Sequence, residues 1–408
     1  MASPGAAERP AKVLVLDANQ RSALAVTRSL GRRGIPVVAG DETKATLAGA
    51  SRYCSDTLVY PSPSLSPDDF VRTLEREVAR RGIAVVVPLT DVTVQQVLSH
   101  CARLPGVTIP CATPAAFDAV TDKWHLYALA RRLGVPMPAT YLARTPRELR
   151  AAASELGFPL VLKPRRSRVL SNGRWIAPPV MSVASAAELS RAWAAVAVPE
   201  DDGSLVQAYV SGRGQGVFAL YGHGRALTFF AHRRLREKPP WGGVSVLSES
   251  VAPDPELRGL GQRLLDAVGW HGVAMVEFKV SGDGTPYLLE VNGRFWGSLQ
   301  LAIDAGVDFP WLLYRLAHGD TVEPTPHYAV GVRNRWLLGD LDHLYLTLRT
   351  PGTWRQKARA VRQFLRLFER GTRHEVDRWD DLRPCLLELR QYVFGARGSR
   401  RAGHEAAR

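Results

Sequence analysis

The segment VAMVEFKVSGDGTPYLLEVNGR (Val273–Arg294) carries most of the information about the fold. Its two halves alternate apolar and polar residues around Asp283-Gly284, a pair that tolerates the backbone angles of a two-residue hairpin turn. With the turn at that pair, Glu277 lies directly opposite Glu290 on one face of the hairpin. The other face is apolar and must cover a core; it carries Val276, Phe278, Val280, Tyr287, Leu289 and Val291.

The polar face of this hairpin is typical of a site for a hard cation. Like charges that face each other across a sheet destabilise it, so a cation held between Glu277 and Glu290 would explain the pair. The same register sets Asn292 beside them, opposite Met275, and carboxylate and amide oxygens suit Mg²⁺ rather than zinc. On spacing alone, a solvated outer face with two incidental glutamates explains the pattern equally well.

The sequence before the hairpin predicts a parallel sheet with helices on its faces. VLVLDANQ (Val13–Gln20) has the pattern of a buried strand followed by a polar turn, and a helix is expected over Arg21–Arg33. IPVVAG (Ile35–Gly40) and IAVVVPLTD (Ile83–Asp91) continue this alternation of strand and helix. The first turn has no G-x-G-x-x-G, so a dinucleotide site is not expected.

These patterns predict an α/β protein of three parts between two short tails. The expected divisions are a disordered tail 1–10, a βαβ domain 11–112, a two-lobed α+β domain 113–320, a helical C-terminal extension 321–395 and a disordered tail 396–408.

Composition supports a folded protein and excludes several classes. Of the 408 residues, 46% are hydrophobic and 23% charged, which is typical of globular rather than disordered chains. The first ten residues lack the apolar run of a signal peptide, and we see no stretch of the length that spans a bilayer, so a cytoplasmic location is expected. The four cysteines are scattered, without the spacing of a zinc site or a disulfide framework.

The formal net charge of +14 is concentrated towards the C-terminus. A basic amphipathic helix is predicted over Trp354–Arg370, with apolar residues on one face and arginines over much of the rest. We favour packing of the apolar face on the protein body; weak contact with an anionic surface is the alternative. Charge alone would also suit a nucleic-acid partner, but no recognition motif supports one.

Four motifs in a fixed order resemble a known group of proteins. They are TDKWHLYALARRLGVPMP (Thr121–Pro138), FPLVLKP (Phe158–Pro164), LVQAYVSG (Leu205–Gly212) and the two-part motif VEFK…LLEVNGRFWGS (Val276–Lys279 and Leu288–Ser298). Together they resemble the ATP-grasp superfamily, and within it the carboxylate–amine ligases related to carbamoyl-phosphate synthase and D-alanine–D-alanine ligase. Each motif is weak alone, and the specificity comes from their order and spacing between about Val13 and Asp320.

The resemblance implies a two-lobed ATP-grasp body over 113–320 and a role for each matching residue. It implies metal binding, by Mg²⁺ or alternatively Mn²⁺, at Glu277, Glu290 and Asn292. It implies ATP contacts at Lys123, Lys163, Gln207, Ala208, Tyr209, Val210 and Gln215. It implies that Arg294 holds the γ-phosphate, and that Arg233 and Arg234 are candidates for binding a substrate carboxylate.

Two departures from the family pattern concern the nucleoside. Ala208 stands where many relatives have glutamate, and Gln215 occupies the stretch that often carries the ribose-binding acid. The loop Arg165–Val180 takes the place of a glycine-rich lid but is rich in arginine; a lid and an exposed basic loop are equally compatible with it. Trp241-Gly242-Gly243 is expected to be a mobile loop over the site.

The expected activity is ATP-dependent joining of a small carboxylate to a small amine. The carboxylate would be activated as an acyl phosphate, with release of ADP and phosphate. Two alternatives stay open: a carboxylase or carbamoyl-phosphate-type enzyme that uses bicarbonate, and an ATP-binding regulatory subunit without turnover.

Overall fold

The computed structural model describes residues 10–240, 243–325, 327–366, 369 and 371–405. The N-terminal part is a four-stranded parallel sheet of order β3-β2-β1-β4, which confirms the predicted βαβ pattern. Its elements are β1 (Lys12–Val15), α1 (Arg21–Gly31), β2 (Val37–Asp41), α2 (Leu47–Ala50), β3 (Asp56–Val59), α3 (Pro67–Arg81), β4 (Ile83–Val87) and α4 (Asp91–Ser99). Strands β1, β2 and β4 are mostly apolar and buried because helices cover the sheet, whereas the edge strand β3 is largely exposed.

Two helices and a small antiparallel sheet follow. The elements are α5 (Pro114–Thr121), α6 (Lys123–Arg132), β5 (Thr140–Ala143), α7 (Pro146–Leu156), β6 (Leu160–Pro164), β7 (Val169–Ser171), β8 (Arg174–Ile176), β9 (Met181–Val183), α8 (Leu189–Val196) and β10 (Ser204–Ala208). The sheet has the order β5-β10-β6-β9, and β7 and β8 form a separate hairpin. Thr113 caps α5 and Asp122 caps α6 through their side-chain oxygens, which accept hydrogen bonds from backbone N–H groups of the first turn.

The rest of the chain is organised around a seven-stranded sheet of order β15-β14-β11-β12-β13-β16-β17. Its elements are β11 (Gly212–Gly222), β12 (Arg225–Lys238), β13 (Val244–Val251), α9 (Pro255–Ala267), β14 (Gly272–Ser281), β15 (Pro286–Asn292), α10 (Leu299–Ala305), α11 (Phe309–Ala317), β16 (Arg333–Arg335), α12 (Leu337–Arg349), α13 (Trp354–Phe364), β17 (Thr372–His374) and α14 (Arg383–Glu405). All neighbouring strands are antiparallel except β16 and β17. None of the helices in the described ranges has the length and hydropathy of a membrane span.

The β14–β15 hairpin has the predicted register at the two glutamates but reaches it differently. Glu277 pairs with Glu290, while Phe278 pairs with Leu288, so Leu289 is an additional residue in β15. The turn also has three residues instead of two, because Ser281 N donates to Thr285 O and Gly284 takes the positive φ of 91°. The bulge and the longer turn shift the register of the two strands in opposite directions by one residue each. Glu277 and Glu290 therefore remain opposite each other.

The bulge changes the apolar face of this hairpin. Val276, Phe278 and Val291 are buried in the core as predicted, and they are joined by Leu288. Leu289 and Tyr287 are only half-buried, so their assignment to the core face was wrong. An additional residue reverses the alternation of side chains between the two faces of a strand, which explains the exchange.

The C-terminal extension is less uniform than the sequence indicates. Besides α12, α13 and α14 it contributes β16, which pairs with β13, and β17; these two short strands were not predicted. The backbone of α14 continues to Glu405, past Ala396, where we expected a disordered tail to begin. The segment after Gly395 has no proline, so nothing in its backbone chemistry forces the helix to end there.

The extension is held to the N-terminal part by Arg28, which lies in α1 and is buried. Its Nε donates to Asp381 Oδ2 at 2.9 Å, and its Nη atoms donate to Glu375 O at 3.0 Å and Val376 O at 2.9 Å. Burial lowers the pKa of Arg28, and the Asp381 carboxylate opposes that effect. One buried, multiply bonded guanidinium therefore joins two parts of the chain that are more than 340 residues apart in sequence.

The basic helix predicted over Trp354–Arg370 is shorter and more exposed than expected. Helix α13 ends at Phe364, none of its residues is buried, and the Trp354 side chain is 73% exposed. Phe364 packs under the Arg335 guanidinium, with 4.8 Å between Cζ and the ring centroid. The half-buried residues of α13 share one face, which packs against α12: Lys357, Ala360, Val361 and Phe364. Trp354 and Ala358 of the predicted apolar face are exposed, so the expected packing is present only in part.

Candidate active site

The two opposed glutamates lie on the edge strand β15 and its neighbour β14, facing a cleft. The side chain of Glu277 is 18% exposed and that of Glu290 32% exposed, so both are partly withdrawn from water. The next residue after β15 is Gly293, where a Cβ atom would lie 2.7 Å from the Trp270 ring. That close approach explains the glycine in EVNGR: the backbone passes directly over a buried aromatic side chain.

Glu290 is surrounded by groups that favour its charged form. Lys123 Nζ lies 3.6 Å from Glu290 Oε2, and Asn292 Nδ2 donates to Glu290 Oε1 at 3.2 Å. Burial raises the pKa of the Glu290 carboxyl, but Lys123, the Asn292 hydrogen bond and Lys163 outweigh it, and the net pKa is lowered. Both lysines that the resemblance assigns to phosphate are therefore within electrostatic reach of one carboxylate.

Glu277 has a different environment although it faces Glu290. Burial raises its pKa, the Glu290 charge adds to that effect, and the Arg234 guanidinium opposes it without reversing it. Arg234 Nη2 donates to Glu277 Oε1 at 2.9 Å. The pair is thus asymmetric: Glu290 is held as a carboxylate by lysines, and Glu277 depends on one arginine.

Arg294 is held in place by an acid that the sequence analysis did not single out. Its Nε donates to Asp91 Oδ1 at 2.8 Å, and its Nη2 donates to Asn292 Oδ1 at 3.3 Å. Burial raises the pKa of Asp91, but Arg294 and Lys123 reverse this and lower it overall. Asp91 is the first residue of α4, so it fixes the guanidinium relative to the N-terminal sheet.

Asp17 in turn fixes the position of Asp91. Asp17 Oδ2 accepts hydrogen bonds from Leu89 N at 3.0 Å, Thr90 N at 2.9 Å and the Thr93 hydroxyl at 2.6 Å. Burial raises the pKa of Asp17 to about 6 in spite of these donors. The turn after β1 therefore organises the turn after β4, and both contribute to the cleft.

Of the two neighbouring arginines proposed for a substrate carboxylate, only Arg234 lies at the site. Arg233 Nε donates to Glu249 at 2.7 Å, and the Arg233 side chain is 60% exposed. It lies on the opposite face of β12 because successive side chains in a strand alternate between faces. The assignment of Arg233 to the site was wrong for this reason.

Only some of the residues that the resemblance assigns to the nucleoside lie in the expected position. Gln207 is buried, and its Nε2 donates to Thr140 Oγ1 at 2.7 Å. Strand β10 ends at Ala208, so Tyr209 and Val210 follow the strand instead of extending it. Gln215 pairs with Phe278 in β14, which by alternation sets its side chain on the face opposite Glu277.

The lysines lie between the two sheets. Lys163 at the end of β6 is buried, and its Nζ donates to Tyr127 OH at 3.0 Å. Lys123 opens α6, and its Nζ donates to Ser167 Oγ at 3.0 Å. The two predicted phosphate-binding lysines are therefore brought to one cleft from different elements, beside Glu290.

The loop Arg165–Val180 contains the β7–β8 hairpin, and its arginines differ in role. Arg165 is buried and pairs with Asp122 at 2.7 Å, so it is a structural residue. Arg166 and Arg168 line a cleft pocket together with Lys123 and Asn292. Trp175 N also donates to Ser64 O at 2.9 Å, which holds the hairpin against the N-terminal part. Trp241 and Gly242 of the other expected loop lie outside the described residues.

The donor set fits a magnesium ion better than a transition metal. Glu277, Glu290 and Asn292 lie on one face of the hairpin and offer oxygen atoms only. In the described part of the chain we find no cluster of three or more histidine, cysteine or acidic side chains arranged for a metal. Two carboxylates and an amide suit a cation that takes its remaining ligands from phosphate and water.

A larger cavity of about 790 Å³ continues from the glutamates towards the C-terminal extension. We call it the acceptor cavity; its charged lining residues are Arg21, Arg234, Glu277, Glu290, Arg294 and Glu388. His232 also lines it; burial lowers the pKa of this imidazole to about 3, so it is neutral. Trp336 and Gln391 complete the wall from the extension.

Several of these residues escaped the sequence analysis. Asp17 and Asp91 had a usable signal, because each follows a buried strand and the carboxyl ends of parallel strands meet at one edge of a sheet. Arg21 had a weaker signal as the residue that opens the first helix. Glu388 had none, because it lies in a helical extension outside the recognised motifs.

Comparison with known proteins agrees with the geometry. Residues 200–338 match a family model described as ATP-grasp in the biosynthetic pathway with Ter operon. The chain is 30% identical over 276 residues to a D-alanine–D-alanine ligase of Ectopseudomonas mendocina, covering 63% of this chain and 82% of that protein. It is 28% identical over 302 residues to the carbamoyl phosphate synthase large chain of Deinococcus radiodurans, covering 68% of this chain but only 28% of that protein.

A solved structure extends the likeness to the fold as a whole. The biotin carboxylase of Campylobacter jejuni, crystallised as a β-γ-ATP complex, superposes with a TM-score of 0.63. The superposition covers 79% of this chain and 74% of the other at 16% identity. The α/β fold, the matching motifs and the relative matched over most of its length agree, and the chain belongs to the ATP-grasp superfamily.

Proposed function

We propose that this protein is an ATP- and Mg²⁺-dependent ligase that joins a small carboxylate to a small amine, releasing ADP and phosphate. The observation that carries the proposal is the pair Glu277 and Glu290, opposed across a hairpin and flanked by Lys123 and Arg294. Phosphoryl transfer requires positioning and neutralisation of charge more than covalent chemistry by the protein. This cleft supplies both.

The proposed reaction has two steps that balance without a protein nucleophile. An oxygen of the substrate carboxylate attacks the γ-phosphorus of ATP, and the bond to the bridging β–γ oxygen breaks to release ADP. The amine nitrogen then attacks the acyl carbon, the C–O bond to phosphate breaks, and a proton leaves the nitrogen. The products are an amide and orthophosphate.

The cationic and metal-binding residues of the cleft each have a role in these two reaction steps. Lys123, Lys163 and Arg294 offset the charge of the phosphates, and Arg294 stays close to the transferred group. A metal on Glu277 would release Nη2 of Arg234 for the substrate carboxylate, while Nη1 stays hydrogen-bonded to Glu237. Magnesium held by Glu277, Glu290 and Asn292 would neutralise charge on the β- and γ-phosphates.

The products of ATP cleavage provide the direct test of this chemistry. We expect ADP and orthophosphate from a screen of pooled amino acids, hydroxy acids and small amines, because the cationic groups cluster where charge develops at the γ-phosphoryl group. With the acid identified, ¹⁸O from its carboxylate should appear in the phosphate, and hydroxylamine should yield a hydroxamate.

Each alternative has its own signature in the same screen. AMP and pyrophosphate would overturn the proposed mechanism. ADP release that depends on bicarbonate alone would favour the carboxylase class. Binding of ATP without turnover across the whole screen would favour a regulatory subunit.

Magnesium and nucleotide should stabilise the protein jointly. We expect a non-hydrolysable ATP analogue with Mg²⁺ to raise the Tm by more than the sum of the two separate shifts, because the metal needs phosphate oxygens to complete its coordination. Thermal melting with each ligand alone and with both measures this linkage. Strictly additive shifts would contradict a shared site.

The partners implied by this proposal are small molecules. ATP as a co-substrate agrees with the cytoplasmic location that the sequence predicts. The exposed α13, with arginines at 355, 359 and 362, supports at most weak contact with an anionic surface, and that contact stays a prediction.

A further inference from the structure

Five of the six charged residues that line the acceptor cavity have an oppositely charged partner within 4 Å. Arg21 pairs with Glu375, Arg234 with Glu277, Arg294 with Asp91, and Glu290 with Lys123. Glu388 is the exception: among the described residues its carboxylate has no ion-pair partner. Its hydrogen bond comes from a neutral donor, Trp336 Nε1, at 2.8 Å to Oε1.

A carboxylate in this situation is unusual. Glu388 is only half-exposed, and acids withdrawn from water are normally paired because desolvation of an unpaired charge is costly. Burial raises the pKa of Glu388 to about 7, although the Trp336 hydrogen bond and the charge of Arg21, which is engaged with Glu375, both lower it. The other oxygen, Oε2, accepts no hydrogen bond from a described residue and is available to a ligand.

The other charged residues of the cavity indicate which ligand would supply the missing ion-pair partner of Glu388. Glu277 and Glu290 belong to the proposed metal site, and the arginines suit the phosphate and the substrate carboxylate. Among the described charged residues of the cavity, Glu388 is the one left to recognise the second substrate, and a carboxylate complements a cation with N–H donors. An aliphatic ammonium group meets that requirement.

We propose that Glu388 binds the amine substrate as its ammonium ion, which makes α14 of the C-terminal extension part of the acceptor site. The bound ammonium ion loses one proton to solvent before the free amine nitrogen attacks the acyl carbon. This inference rests on the proposed function, since it assigns the amine of that reaction to one wall of the acceptor cavity. The N-terminal part contributes Arg21, the seven-stranded sheet contributes Arg234, and the extension contributes Glu388 and Trp336. The site is complete only when all three parts are docked.

The central variant is Glu388→Gln, which preserves the shape of the side chain and an oxygen for the Trp336 donor. We expect the KM for the amine to rise about 10- to 100-fold, the range of a lost charge-assisted hydrogen bond, with KM for ATP and for the acid unchanged. Hydroxylamine is uncharged at pH 8 and should form hydroxamate equally well with wild type and Glu388→Gln. A purely structural role would instead reduce the hydroxamate rate as well.

A binding measurement separates failure of this inference from failure of the proposed function. The probe is L-alanine amide, compared with its neutral N-acetyl derivative, titrated calorimetrically into protein loaded with Mg²⁺ and a non-hydrolysable ATP analogue. We expect the cationic probe to bind the wild type about 10-fold or more tightly than Glu388→Gln, and the neutral probe not to distinguish them. This result does not require turnover.

The exposed Glu256 at the start of α9 provides a matched control, because Glu256→Gln makes the same chemical change away from the cavity. It should bind the cationic probe as the wild type does. Equal affinity of wild type and Glu388→Gln for L-alanine amide, including no binding to either, would overturn the proposal. An unchanged amine KM in Glu388→Gln would overturn it as well.

Discussion

Glu290→Gln should reduce kcat by on the order of 10³-fold while leaving the fold intact. The amide keeps the shape of the side chain but removes one of the two charges that would hold the metal against the phosphates. Steady-state ADP release at saturating ATP and Mg²⁺ measures the effect. Turnover at the wild-type rate would contradict the assignment of Glu290 to the metal.

The stability of this variant tests the electrostatics of the site separately. The pKa of Glu290 is lowered in the fold, so its charge contributes stability at pH values above its ordinary pKa, and that contribution is lost as the pH falls through the lowered value. Removing the charge at pH 7 should therefore cost a small amount of stability, because Lys123 at 3.6 Å outweighs the opposed Glu277. This loss is measured by comparing the Tm of Glu290→Gln with that of the wild type in the absence of ligands, with Glu256→Gln as the control. A marked rise in Tm would show that repulsion between the glutamates dominates.

Arg28→Met should release the C-terminal extension from the N-terminal part. The substitution leaves Asp381 buried without its cation and removes the donors to Glu375 O and Val376 O. Breaking one partner of a buried ion pair costs about 3–5 kcal/mol. Native-state hydrogen exchange of the amides in 375–381 should show a lowered opening free energy of that size.

The matched control is Arg32→Met in the same helix region. Arg32 pairs with Asp380, but its side chain is 36% exposed and that of Asp380 47% exposed. Exposed ion pairs contribute about 0–1 kcal/mol, so this variant should change the exchange of the same amides little. Equal effects of the two substitutions would indicate that the extension is held by its apolar contacts and not by Arg28.

The opposition of Glu277 and Glu290 was predicted correctly, although two local details were not. A turn of three residues and a bulge at Leu289 shift the register in opposite senses. The glutamates are close enough to the turn for the alternation of side chains to limit the choices, because a shift by one residue would bury both charges. Local periodicity therefore predicted the pair but could not resolve which of Leu288 and Leu289 is in the core.

Alternation also explains why the neighbouring arginines could not be separated in advance. Arg233 and Arg234 are adjacent residues of the same type. Only the register of β12 decides that Arg233 contacts Glu249 and that Arg234 contacts Glu277. The nucleoside contacts were equally hard to predict from the sequence. Strand β10 ends at Ala208, so Tyr209 and Val210 lie just after the strand and not in it. Strand ends depend on which backbone groups find partners across the sheet, which is not a local property.

The amino-acid sequence by itself determined the α/β class, the parallel N-terminal sheet and the opposition of Glu277 and Glu290. These follow from short-range periodicity, caps and turns, all of which act within a few residues of the chain. Only the tertiary structure decided that Asp91 holds Arg294, that Arg28 docks the extension and that Glu388 faces the acceptor cavity. Those contacts join residues about 200 to 350 positions apart, and they form because buried charges need partners wherever the packed chain brings one within reach.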